Sequence, residues 1–259
     1  MGKLSVLIHM VHKKFSEGRK KTLCLKANAI FLVIGLLLGG CGPKVIHERK
    51  NLVIEGNVLL RVQIVRHAEA YKNVPHLPST PKEKLDLLTP KGNMQAASIG
   101  KFLGGKGVVA VVTSPTGRTR ETADAIVKAL GVDKPYSEDN AFASLRKGKM
   151  PNGKPVSWSW RKKQWKAGYD PRPEGGESLA DGAARAITAI NQLAKKYPGK
   201  AVAIVSHGDI CAALLGQAEN TPISKRPELH DVATGSVSEI IITDSGWYLI
   251  SQGVSPPWY

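Results

Sequence analysis

The chain has 259 residues, of which 42% are hydrophobic and 22% charged. Those proportions belong to a globular domain with room for a full core, and exclude a disordered or low-complexity chain. The formal charge of +16 suits an anionic substrate or an anionic membrane surface; nucleic acid is not an expected partner, because no nucleic-acid-binding motif accompanies the charge.

Much of that charge sits at the beginning. Residues 1–26 carry Lys3, Lys13, Lys14, Arg19, Lys20, Lys21 and Lys26 against a single acid, Glu17. An uncharged stretch follows over 27–43, with its apolar heart at 29–38. A spanning helix needs about 20 apolar residues, and the order basic, apolar, small is that of a secretory signal. The ending Leu38-Gly39-Gly40-Cys41 resembles the lipobox of bacterial lipoproteins. That resemblance implies a leader over 1–41, a lipidated Cys41 as the new N-terminus, and a periplasm-facing place in the bacterial cell envelope. Gly42, rather than aspartate, implies the outer membrane. An uncleaved anchor and a non-lipidated secreted form are the alternatives, and a start at Met10 gives a more usual leader.

Residues 42–57 read as a tether of Pro, Gly and mixed charges. Losing seven basic residues and one acid with the leader leaves thirty basic and twenty acidic residues, a net of +10. Cys24 leaves with the leader and Cys41 is lipidated, so Cys211 stands alone. It has no partner for an internal disulfide and is expected as a small core residue.

The folded domain is expected over 58–255. Residues 59–65 alternate apolar and polar as a strand, ending in Arg66-His67-Ala68-Glu69. A loop with Pro75, Pro78 and Pro81 follows. Thr89 as N-cap and Pro90 at the first helical position open a helix with Ala96, Ala97, Ile99, Phe102 and Leu103 on its apolar face. The β-branched run 108–112 predicts a strand buried on both faces, and Ser114-Pro115 a helix start running to about Leu130. Residues 138–176 read as a long irregular insertion. The spacing predicts a helix over 178–197, a strand over 201–205, a helix over 209–217, and a hairpin of 237–243 with 247–250 around Asp244-Ser245-Gly246. Strands alternating with helices predict an α/β fold with a mostly parallel central sheet covered on both faces, a three-layer α/β/α sandwich.

Three strand ends then present one kind of group: Arg66-His67 after the first, Thr113-Ser114-Pro115 with Arg118 after the second, and Ser206-His207-Gly208 after the 201–205 strand. In a parallel sheet these ends share one edge, where ligands gather. Two arginines and two histidines converging there repel one another unless an anion sits among them. A phosphate dianion fits, gripped by the guanidinium forks and by nearby helix N-termini. Individually the groups have blander readings: His207 as a core histidine, Arg118 as a surface helix residue.

The ordered set resembles the histidine phosphatase superfamily, in its phosphoglycerate mutase-like branch, over most of 58–251. Arg66-His67-Ala68-Glu69 is similar to that family's Arg-His-Gly-Glu, with alanine for glycine. Leu88-Thr89-Pro90-Lys91-Gly92 with Gln95-Ala96 is similar to its Leu-Thr-x-x-Gly-x-x-Gln-Ala. Ser114-Pro115 with Arg118-Thr119 and Thr122-Ala123, then Gly176-Glu177-Ser178-Leu179 and Ser206-His207-Gly208, complete the set. The resemblance implies that His67 takes the phosphoryl group as a phosphohistidine. It implies that Arg66, Arg118 and His207 hold the phosphoryl oxygens, and that no metal or other cofactor is needed. Asn73, where an asparagine commonly follows the nucleophile, is either a pocket contact or a loop turn; it joins Glu177 and Lys147 as candidate substrate contacts.

One departure concerns the proton donor for the leaving oxygen. In the mutase-like branch a glutamate usually follows a Leu-Arg pair; here Leu145-Arg146 is followed by Lys147. Asp209 is the first substitute and Glu177 the second, with another group or none also open. The insertion is the other departure. Between 141 and 169 it holds Arg146, Lys147, Lys149, Lys154, Arg161, Lys162, Lys163 and Lys166, no acid, and Trp158, Trp160 and Trp165. It reads as a lid over a polyanionic substrate, as an interfacial patch on anionic lipid, or as a solvated basic loop with structural tryptophans. The expectation is a membrane-tethered phosphatase of a small or lipid-linked phosphomonoester, with a non-catalytic phospho-ligand binder of the same fold as the alternative.

Overall fold

The computed structural model describes residues 45–46, 48–49, 51–75, 78–131 and 136–257, which belong to a unit running from Pro43 to Tyr259. The expected leader, lipidated Cys41 and the start at Met10 lie outside the described residues. Among the described residues no helix is long and apolar enough to cross a membrane.

The strands β1 (Val58–Arg66), β2 (Val108–Thr113), β3 (Ser137–Glu138), β4 (Ala201–Ser206), β5 (Val237–Thr243) and β6 (Trp247–Val254) form one sheet in the order β3-β2-β4-β1-β5-β6. The neighbours from β3 to β1 pair in parallel, β5 runs antiparallel to β1, and β6 antiparallel to β5. The period of two in the strands sends alternate residues to opposite faces. Val62, Ile64, Val112, Val202 and Ile204 join one core cluster; Val65, Val111, Ala203 and Val205 join the other.

Helices cover both faces. α1 is the single turn Lys82–Leu85; α2 (Pro90–Leu103) and α3 (Gly117–Leu130) pack Ile99, Leu103, Ala123 and Ile126 on one side. α4 (Trp158–Lys166), α5 (Leu179–Lys196) and α6 (Gly208–Ala218) lie on the other, where Trp165, Leu179, Ile190, Ile210 and Leu214 fill the larger cluster. α7 (Arg226–Leu229) is one further turn. The three-layer α/β/α sandwich is therefore present.

Some boundaries move, for physical reasons. Thr89 caps α2, its hydroxyl accepting from Gly92 N–H at 2.9 Å with Pro90 next, as expected. Helix α3 begins at Gly117 rather than at Ser114-Pro115. Ser114 still donates its N–H to Val205 O at 3.0 Å, which prolongs the sheet ladder and delays the helix. The insertion is not irregular throughout. It holds a 3-10 turn at Asn140–Phe142 and α4, which Ser157 caps by accepting from Trp160 N–H. The described part of the 42–57 stretch lies on the domain: Ile46 and Gln252 exchange two backbone bonds of 2.8 Å, and Arg49 pairs with Glu219 at 2.8 Å.

Candidate active site

Register sets the site. Arg66 stands level with Ser206 across β1 and β4, and Thr113 level with Val205 across β2 and β4. His67 N–H donates to Ser206 O at 2.9 Å, so the ladder continues one residue past β1 and fixes the histidine's backbone. Residues just beyond it are pinned from α2 and α3: Ala68 N–H donates to Thr122 Oγ1 at 3.1 Å, and Glu69 N–H to Gln95 Oε1 at 2.9 Å. Gly92 lets α2 come this close, since a Cβ there would lie 2.0 Å from Glu69 O.

His67 is buried, and its Nδ1 lies 2.8 Å from Ala68 O. A carbonyl only accepts, so Nδ1 carries the proton and Nε2 keeps its lone pair. Burial, then the charge of Arg118 with those of Arg66 and Lys72, holds this imidazole well below its usual 6.5, outweighing the opposing bond to Ala68. At neutral pH the ring is uncharged, with a lone pair on Nε2 that is chemically able to act as a nucleophile.

His207 N-caps α6, 5.4 Å from His67 between ring centroids. Arg118 Nη2 donates to its Nδ1 at 2.8 Å, which places the proton on Nε2, where Ser114 Oγ accepts at 2.8 Å. Burial and the Arg118 charge push His207 well below 6.5 as well. Arg118 Nη1 in turn bonds Asp86 Oδ1, while Asp86 Oδ2 accepts from Gly117 N–H at 2.7 Å. Arg66 Nη1 bonds Asp231 Oδ1 at 3.2 Å and Val232 O. Its guanidinium rests on Gly208, where a Cβ would come within 3.0 Å of Cζ.

Both guanidiniums are therefore oriented, yet the buried Nε atoms of Arg66 and Arg118 have no hydrogen-bond partner within the protein. Two orphaned cationic N–H donors beside two neutral imidazoles and the N-terminus of an eleven-residue helix form a setting that a tetrahedral oxyanion satisfies.

The structure thus brings together His67, Arg66, Arg118 and His207 from three strand ends. The other candidates lie differently. Asp209 turns to the neighbouring loop, its Oδ2 accepting from Ser144 Oγ and Leu145 N–H, both at 2.8 Å. Glu177 is buried in a bonded network: Arg146 N–H at 2.9 Å, Arg185 Nε at 3.0 Å and Arg146 Nη1 at 3.3 Å. Burial pushes its carboxyl up, but those donors and charges win and hold it below the ordinary glutamate range. Asn73 Oδ1 accepts from Ala70 N–H at 2.9 Å and so closes the turn Tyr71–Asn73. Lys147 has an exposed side chain, and its carbonyl accepts from Arg161 Nη2 at 3.0 Å.

Sequence reasoning missed Asp86, Lys72 and the Ser114 hydroxyl. Lys72 Nζ stands 3.7 Å from the Asp86 oxygen that holds Arg118. Asp86 had a signal: it precedes the Leu88-Thr89 helix start by two residues, on the loop that must pass α3. The insertion's tryptophans and arginine divide by role. Trp165 is buried, with Nε1 donating to Asp170 at 3.2 Å, and Trp158 packs on the core. Arg161, fully buried, donates to Glu177 O at 2.8 Å, Arg146 O at 2.9 Å and Lys147 O.

A family model described as the histidine phosphatase superfamily (branch 1) matches residues 62–254. The chain belongs to that superfamily. It is similar to the "Probable phosphoglycerate mutase GpmB" of Salmonella paratyphi B, at 26% identity over 192 residues, covering 73% of this chain and 88% of the relative. A mycobacterial glucosyl-3-phosphoglycerate phosphatase shares the fold at TM-score 0.57 and 22% identity, over 73% of this chain and 96% of its own. So does a phosphoserine phosphatase of Entamoeba histolytica, at TM-score 0.59 and 18% identity, over 76% and 98%.

Proposed function

We propose that the protein is a phosphatase that hydrolyses a phosphomonoester through a phosphohistidine at His67. The observation that carries this reading is the pair of opposite tautomers. His67 presents a bare Nε2, while the ring of His207 beside it is turned the other way, its Nδ1 accepting from Arg118. In the first step Nε2 forms a bond to phosphorus as the ester P–O bond breaks and the leaving oxygen departs with its electron pair. Arg66 and Arg118 balance charge on the equatorial oxygens, with His207 orienting the Arg118 guanidinium beside them. In the second step water attacks phosphorus, the P–N bond breaks, and inorganic phosphate leaves while Nε2 regains its lone pair.

Asp209 fits a positioning role better than that of proton donor. One of its carboxylate oxygens is taken up by two donors, Ser144 Oγ and Leu145 N–H, which hold Ser144 and Leu145 beside the site. Glu177, ionised and engaged with Arg146 and Arg185, serves the same loop from behind. The leaving oxygen then takes its proton from water.

The basic, apolar, small order of residues 1–41 supports export and tethering through a lipidated Cys41, and the substrate proposed with it is a small or lipid-linked phosphomonoester outside the cytoplasm. A fatty-acid label lost in Cys41→Ser tests the tether; a label that persists refutes it. For the chemistry, the chain is expected to release phosphate from an aryl phosphate, and His67→Ala to abolish that release. Turnover surviving the substitution refutes the reading, and phosphate binding without any turnover establishes the non-catalytic binder instead.

A further inference from the structure

The chemistry at the strand ends leaves the basic helix of the insertion unused. At about 3.6 residues per turn, Trp158, Arg161 and Trp165 share the face of α4 turned to the domain, where Arg161 and Trp165 are buried and Trp158 packs on the core. Lys162, Lys163 and Lys166 fall on the opposite face, and all three are exposed. Among the described residues none of their ammonium groups has a carboxylate partner. Asp170, the nearest acid along the chain, has both oxygens occupied. Its Oδ1 accepts from Trp165 Nε1 at 3.2 Å and Leu179 N–H at 2.8 Å, and its Oδ2 from Ala180 N–H at 2.9 Å. Lys162 and Lys166, one helical turn apart, repel each other and gain from an anion laid across them.

The surface continues beyond the helix. Tyr169, 65% exposed just past the C-terminal end of α4, offers an aromatic ring with a polar tip. α4 packs beside the turn Ile223–Lys225 and α7, which add exposed Lys225 and Leu229, with Glu228 as the opposing charge. Just before that turn, Glu219 holds Arg49 at 2.8 Å, so the segment that follows the basic and apolar leader joins the domain next to the turn on which α4 packs. We propose that the outer face of α4, with Lys225 and Tyr169, seats on an anionic lipid surface, the lysines at headgroup phosphates and the tyrosine ring at headgroup level. The seat is electrostatic and shallow, because Trp158 and Trp165 are committed to the domain. It is a property of the folded domain and holds with or without a lipid on Cys41.

The experiment mixes the full chain with vesicles of phosphatidylcholine, alone or with phosphatidylglycerol, acetylates exposed lysines with a water-soluble reagent, and follows each by peptide mass spectrometry. Lys162, Lys163, Lys166 and Lys225 are expected to react about fivefold more slowly, or slower still, on the mixed vesicles. Lys101 and Lys128, exposed on α2 and α3 in the opposite layer, keep their rates. In about 1 M salt, where the screening length is ~3 Å, the protection disappears. Lys162→Gln with Lys163→Gln and Lys166→Gln, all at exposed positions, removes the protection of Lys225. Equal rates on the two vesicles, slowing shared by Lys101 and Lys128, or a Lys225 still protected in the triple variant overturns the seat. Soluble polyphosphate protecting the four lysines as well as vesicles do would make this a site for free polyanions, and overturns it too.

Discussion

Nδ1 of His67 faces a carbonyl oxygen and Nδ1 of His207 faces a guanidinium, each at 2.8 Å, so one hydrogen bond apiece assigns the two rings their different jobs. Burial and the Arg118 charge hold both pKa values well below 6.5. The unfolded chain therefore binds more protons than the folded one between those lowered values and 6.5. Stability is complete above that pH and is lost as pH falls through the window. Nucleophilic His67 disappears at the same low end. An acid limb of kcat/KM centred below 6.5, measured from about pH 4 to about pH 8, is expected, and a limb at or above 6.5 contradicts it. Asp209 gives a second test. If it positions the 144–145 loop, Asp209→Asn slows esters of good and poor leaving groups by a similar factor, about tenfold or less; a proton donor's loss would grow with leaving-group basicity. The four central residues were legible in sequence because strand-end position and residue type together specify them. Asp86 and Lys72 were not, since neither lies at a strand end and their roles exist only once the 71–86 loop folds back on α3.

At the scale of elements, β1, β2 and β4 announce themselves through apolar, β-branched runs, and α2 through Thr89-Pro90. Helix α4 was hidden because its inward positions 158, 161 and 165 include an arginine, which breaks the apolar stripe that marks a helix. Arg161 earns its burial by donating to the carbonyls of Arg146, Lys147 and Glu177, tying the loop at the mouth to α4. Arg161→Met strands those acceptors at a cost of about 2–4 kcal/mol. For a domain of this size that is a fall in Tm of roughly 5–15 °C, measured by thermal unfolding. A shift of a degree or less would show that the clamp holds nothing.

Across the whole molecule, the fold class followed from the strand–helix alternation, while the seating of residues 46 and 49 on β6 and Glu219 did not, because single bridges leave no periodic trace. The surplus of basic residues acts at long range. Raising ionic strength from about 0.01 M to about 0.15 M shortens the screening length from ~30 Å to ~8 Å, so kcat/KM for a phosphomonoester is expected to fall about threefold or more. Invariance to salt would confine the attraction to the site itself. The most direct measurement quenches the working enzyme with a labelled phosphomonoester and maps the trapped phosphoryl group. An alkali-stable, acid-labile phosphate on the peptide containing His67, absent from His67→Ala, is the expected result. Turnover with no label on that histidine, or with label on another residue, would contradict it.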